Sequence, residues 1–152
     1  MHIGLAGERA TVAEEQGLRV EGAGVTIAGK HRAFVVQIAT AEHLGFAEEL
    51  CKLYEESAQK RGTGIAKRDP EYIKEKILQE KAIISVTADN HIAGFCYIET
   101  WEGKNYVANS GLIVKEEFRH HGLAKRIKKF VLDYTRKKYP QAKIFGITTS
   151  LA

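Results

Sequence analysis

The sequence predicts an α+β domain in which a mixed, mostly antiparallel sheet is flanked by helices. Three observations predict it. Five short runs rich in β-branched and aromatic residues, at 34–38, 82–87, 91–101, 106–114 and 144–149, read as strands bounded by turn residues. Three other segments repeat their apolar residues at helical spacing. The middle three strands follow one another through short turns, whereas a basic helix separates the last two, which implies a parallel pair in an otherwise antiparallel sheet.

The elements follow in order. Residues 1–32 hold six glycines (Gly4, Gly7, Gly17, Gly22, Gly24, Gly29), no aromatic residue and no sustained pattern. They read as a flexible leader, an extra hairpin through Val20–Ala28, or sequence from outside the fold, which leaves 33–152 as the domain. Phe34–Ile38 is the first strand. Thr40 stands where a helix N-cap belongs, and Leu44, Ala47, Leu50, Cys51, Tyr54 and Ala58 recur at helical spacing over about five turns. Arg61–Arg68, with Gly62 and Gly64, is a loop. Asp69-Pro70 opens a second helix, a capping carboxylate followed by proline at the first helical position, which runs to about Lys81 and buries Ile73, Ile77 and Leu78. Asp89-Asn90 turns a hairpin between Ala82–Thr87 and His91–Trp101, and Glu102–Asn105 leads into Tyr106–Val114. The last helix presents Leu123, Ile127, Phe130, Val131 and Tyr134 on one face and stops at Pro140; Ile144–Thr149 is one more strand.

A chain of 152 residues, 44% hydrophobic and 28% charged with two prolines, has an ordinary globular composition, which excludes global disorder. It contains no run of about 18 apolar residues, and acidic residues stand near its start where a signal peptide would be apolar, so it is expected to be soluble and cytoplasmic. Cys51 and Cys96 have no second pair to build a framework and are expected to be free, buried thiols. Adjacent His120 and His121 do not converge on one metal, and no third ligand lies at a recognised spacing, so no metal is expected. The net charge of +4 is unevenly placed: nine basic residues face Asp133 alone between Arg119 and Lys143. An anionic ligand is expected to meet the protein there.

The chemistry-bearing segment is Leu112-Ile113-Val114, a short connection, then Arg119-x-x-Gly122-x-Ala124 opening the basic helix. A helix start leaves backbone N–H groups unpaired at the positive end of its dipole, and small residues let a phosphate approach them closely. Neither the Gly-x-x-x-x-Gly-Lys-Ser/Thr nor the Gly-x-Gly-x-x-Gly pattern occurs, which removes most support from ATP and dinucleotide readings.

At Leu112-x-Val114 and Arg119-x-x-Gly122-x-Ala124 the chain resembles the GCN5-related N-acetyltransferase (GNAT) family, whose signature is Arg/Gln-x-x-Gly-x-Gly/Ala after an apolar-x-Val strand end. The order strand, helix, helix, three strands, helix, strand also matches. The resemblance implies an acyl-CoA N-acyltransferase fold that lacks its last helix and strands. It further implies that amides from about His121 to Lys125, with Arg119, His120, Gly122, Leu123 and Ala124, bind the pyrophosphate of acetyl-CoA. The main chain of Leu112, Ile113 and Val114 would pair with the pantetheine arm. The acetyl group would pass directly to a primary amine of a small molecule, an amino acid being one candidate. The family's usual tyrosine acid has no counterpart before Ala152, so 33–152 reads as a C-terminally incomplete domain or one completed by a second chain. The unpaired edge of its last strand would favour association, hence a homodimer among the expected partners.

For the base that deprotonates the amine, Glu99 is the first candidate, a carboxylate in an apolar and aromatic run; the other reading is a solvent-facing alternate position. Asn109 and Ser110, beside Gly111, would orient water or the acetyl carbonyl, or form a polar patch beside a bulge. Arg61, Lys67 and Arg68 are either an exposed loop or a clamp for an acceptor carboxylate. Two other functions stay open: a non-catalytic acetyl-CoA-binding module, and a basic nucleic-acid-binding protein using Lys125–Lys138. Nucleophilic hydrolase chemistry has no motif here.

Overall fold

The computed structural model describes residues 25–27, 30–32, 34–62, 68–101, 103–120 and 122–146. Strands β1 (Val25–Ile27) and β2 (Lys30–Arg32) form an antiparallel pair of their own, later in the chain than the Val20–Ala28 hairpin considered above. The main sheet contains β3 (Phe34–Ile38), β4 (Ala82–Thr87), β5 (Ile92–Trp101), β6 (Tyr106–Val114) and β7 (Lys143–Gly146), side by side in that order. Its first three pairings are antiparallel, and β6 with β7 is parallel, as the crossover helix requires.

Helices α1 (Ala47–Arg61) and α2 (Pro70–Leu78) cover one face and α3 (Leu123–Lys138) the other. Alternate residues of a strand point to opposite faces, so β5 sends Phe95 and Tyr97 toward Leu50, Tyr54, Ile73 and Ile77, and sends Cys96 and Ile98 toward Ile127, Val131 and Tyr134. Both faces are covered, which is why Ile92–Ile98 is buried without interruption.

The structure departs from expectation at three places. The first helix opens as a 3-10 turn, Ala41–Phe46, before α1. Gly45 weakens the α-helix there, and the His43 imidazole accepts the Thr40 N–H at 2.9 Å, which holds the tighter turn. Helix α2 ends at Leu78, and Leu78 is exposed: the buried stripe is Ile73 with Ile77, and the next position points about 100° away. Glu80, at φ +58, then turns the chain into β4. The last strand ends at Gly146 among the described residues, and 147–149 lie outside them. Cys96 is buried as expected, but Cys51 is only partly so. Among the described residues no helix is long and apolar enough to cross a membrane, and no group of three or more His, Cys, Asp or Glu side chains could hold a metal.

Candidate functional site

The site begins with an irregularity in β6. Ser110 pairs with Tyr97 and Ile113 with Phe95, so Gly111 and Leu112 both stand opposite Cys96, a β-bulge. Gly111 sits at φ +65, and a Cβ there would lie 2.2 Å from Cε2 of Tyr97, so the bulge needs glycine twice over, for its backbone and for the ring beside it. The Tyr54 hydroxyl of α1 donates to the Gly111 carbonyl. On its other side β6 is paired with β7 only from Tyr106 to Asn109. Among the described residues no strand pairs with Ser110–Val114 on that side, so this edge is open.

The open edge leads to the start of α3. After Val114 the chain makes a 3-10 turn at Glu116–Phe118, passes Arg119 and His120 (φ +68), and enters α3 at Gly122 with φ +83. Arg119 Nε donates to the Val114 carbonyl at 2.9 Å, fastening this turn to the strand end. No side chain caps α3 and its first turn holds no acidic residue, so the positive end of its dipole is uncompensated within the helix. A Cβ at Gly122 would meet nothing within 4 Å, which leaves room above the turn.

Together these elements wall a cleft of about 920 Å³, ample for an extended ligand. Of the residues expected to hold the donor, Leu112, Ile113, Val114, Arg119, His120, Gly122, Leu123, Ala124 and Lys125 all line it, and His121 lies outside the described residues. Asn109 lines it too, and its Nδ2 donates at 2.9 Å to Thr135 Oγ1, tying β6 to α3. Glu99 is not among the lining residues. Its carboxylate accepts from Tyr72 and from Lys76 of α2, a lysine only 7% exposed. Burial, then the bond to Glu99, raises the Tyr72 phenol above its ordinary pKa.

Sequence reading singled out Arg68 but not the rings that hold it. Its guanidinium lies 4.0 Å from the centre of the Tyr54 ring, and its Nε donates to the Tyr97 hydroxyl at 3.0 Å. Burial pushes the Tyr54 phenol well above its usual range, against the opposing pull of Arg68, so Tyr54 remains a donor at any physiological pH. Burial likewise pushes the Cys96 thiol up to about 12, which makes it a poor nucleophile although it borders the cleft. Helical periodicity marks Tyr54 as a core position, which it is; nothing local in the sequence reports its second task at Gly111, 57 positions away.

Solved structures share this fold. N-acetylglutamate synthase from Neisseria gonorrhoeae, complexed with coenzyme A and N-acetyl-glutamate, superposes with a TM-score of 0.61 at 16% identity over 77% of this chain and 26% of that one. The chain therefore spans about a quarter of that protein's length. A GNAT-family acetyltransferase from Listeria monocytogenes matches with a TM-score of 0.59 at 15% identity over 75% of each chain. An aminoglycoside acetyltransferase from an uncultured soil metagenomic sample, in complex with sisomicin, matches with a TM-score of 0.53 at 15% identity, over 77% of this chain and 78% of that one. No curated protein matches the sequence. The model of the acetyltransferase (GNAT) family matches residues 65–150, a span that takes in the bulged strand, the glycine turn and the basic helix. With its sheet, its bulge and its open edge in the places described, the chain belongs to the acetyltransferase (GNAT) family.

Proposed function

We propose that the protein transfers an acetyl group from acetyl-CoA to the primary amine of a small molecule. The observation that carries this reading is the continuous path from the bulge at Gly111, along the open edge of Ser110–Val114, to the uncapped start of α3 at Gly122. An extended amide-bearing arm pairs with such an edge as a further strand does, and a pyrophosphate suits a helix start with Arg119 and Lys125 beside it. Acetyl-CoA supplies, when bound, an acyl carbon activated as a thioester. Two neighbours of known structure are named for amine acetylation, the N-acetylglutamate synthase and the aminoglycoside acetyltransferase, which supports a small amine as acceptor.

An alkylamine with a pKa near ~10.4 is mostly protonated at neutral pH and must lose a proton before attack. Glu99, the base expected from the sequence, is bonded to Tyr72 and Lys76 and does not line the cleft, so we assign that proton to solvent in the cleft. Asn109, fixed by Thr135, positions the cleft wall beside the bulge.

Calorimetric titration with acetyl-CoA tests the reading. Micromolar binding is expected, and Gly122→Glu abolishes it, because a side chain at φ +83 is strained and a carboxylate repels phosphate at the helix start. Thiol release with an amine panel then establishes turnover. A folded protein that does not bind acetyl-CoA overturns the reading.

A further inference from the structure

The charged residues described along the cleft are all cationic. Lys60, Arg61, Arg68, Arg119, Lys125 and Lys128 line it, and among its described lining residues there is no Asp or Glu. Three of these cations, Arg119, Lys125 and Lys128, belong to the α3 end, and Arg68 belongs to the other. It is bonded to Tyr97, the ring that occupies the space beside Gly111, and it lies over Tyr54, the donor to Gly111. Arg68 therefore stands at the bulge, at the far end of the open edge from Gly122.

The guanidinium there is held but not satisfied. Its Nε is spent on Tyr97 and its plane rests on Tyr54, while no carboxylate pairs with it and its two terminal nitrogens have no hydrogen-bond partner among the described residues. Lys60, by contrast, is already paired with Glu116. A planar fork fixed at two points, on a residue that lines the cleft and with no partner among the described residues for its outer nitrogens, suits a carboxylate with two parallel bonds, and little of its freedom remains to be lost on binding.

We propose that Arg68 is the specificity-determining residue of the acceptor subsite and that the acceptor is a primary amine bearing a carboxylate. The inference rests on the acyl-transfer reading above and narrows its substrate. A cationic acceptor, such as a polyamine or an aminoglycoside, would enter a site whose described walls offer no carboxylate to receive its further positive charges.

The test compares amino acids with their own primary amides, and with polyamines, in thiol release by the full chain. It is run on wild type, Arg68→Gln and Arg68→Lys, with acetyl-CoA affinity measured calorimetrically in each. Wild type is expected to prefer the carboxylates over the amides by about 10- to 100-fold in kcat/KM. Arg68→Gln is expected to erase that preference by raising the acceptor KM while the acetyl-CoA Kd stays unchanged, and Arg68→Lys to keep part of it. The wild-type comparison stands even if a variant folds poorly. Amides or polyamines used as well as carboxylates, an Arg68→Gln loss equal for both, or no thiol release with any carboxylate-bearing amine by protein that binds acetyl-CoA, each overturns the inference. Failure of wild type to bind acetyl-CoA overturns instead the acyl-transfer reading, and the inference falls with it.

Discussion

The hydroxyl of Tyr54 on α1 donates to the main-chain carbonyl of Gly111 at the bulge of β6, so a helix on one face of the sheet holds the irregular backbone of a strand. Removing the hydroxyl leaves a partly buried carbonyl without this donor. Tyr54→Phe is expected to cost about 1 kcal/mol of stability, read as a lowered urea midpoint with an unchanged slope.

Gly111 and Gly122 both lie at positive φ, yet they are expected to respond differently to alanine. At Gly111 the added methyl collides with the Tyr97 ring as well as straining the backbone, whereas at Gly122 it meets open space. Gly111→Ala should lose about 3 kcal/mol, the sum of overpacking and left-handed strain, and Gly122→Ala about 1 kcal/mol. Denaturant titration of the two variants side by side checks the ranking.

The Lys76–Glu99 pair predicts a stability cycle. Lys76 is 7% exposed and Glu99 only half-buried, so the lysine bears the larger desolvation cost. Glu99→Gln leaves a buried ammonium without its counter-charge and should cost about 3 kcal/mol. The double variant Lys76→Met/Glu99→Gln should recover part of the loss. Equal instability of the single and double variants would show that the pair is not what Glu99 contributes to the fold.

Burial of the His43 imidazole lowers its pKa below the ordinary value of 6.5, with the charge of Glu42 acting against that. The folded protein therefore resists protonation there, and below pH 6.5 the unfolded chain binds more protons than the folded one. This contribution is present in full above pH 6.5 and is lost as pH falls through the lowered folded value. Urea midpoints should drop between pH 7 and pH 5, and the drop should be smaller in His43→Asn.

The strand runs rich in β-branched and aromatic residues, the Asp69-Pro70 helix opening and the Asp89-Asn90 turn were readable because each is written within a few residues. The Asp69 carboxylate indeed accepts the Glu71 N–H at 2.9 Å, and Asn90 takes the positive φ that a tight hairpin turn asks for. The glycine turn at Gly122 was readable for the same reason. The long-range contacts beneath the bulge and along β5 were not: Tyr54 reaches 57 positions to Gly111, Arg68 reaches 29 to Tyr97, and Lys76 reaches 23 to Glu99. Such partners depend on how α1 and α2 settle against the sheet, and a periodic pattern states only which face settles. The exposure of Leu78 escaped for a related reason, since an apolar residue at a helix end is placed by where the helix stops.

The hook from Arg119 to the Val114 carbonyl fixes one end of the open edge, and the bulge at Gly111 fixes the other. From Ser110 to Val114 the edge stands opposite the three steps from Tyr97 to Gly94, about 10 Å at the usual rise of a strand. The protein thus carries a ruler. On the proposed acyl-transfer reading, a donor anchored at the helix start would reach the bulge only with an arm of that length, and a short activated acyl compound such as acetyl phosphate would fall short.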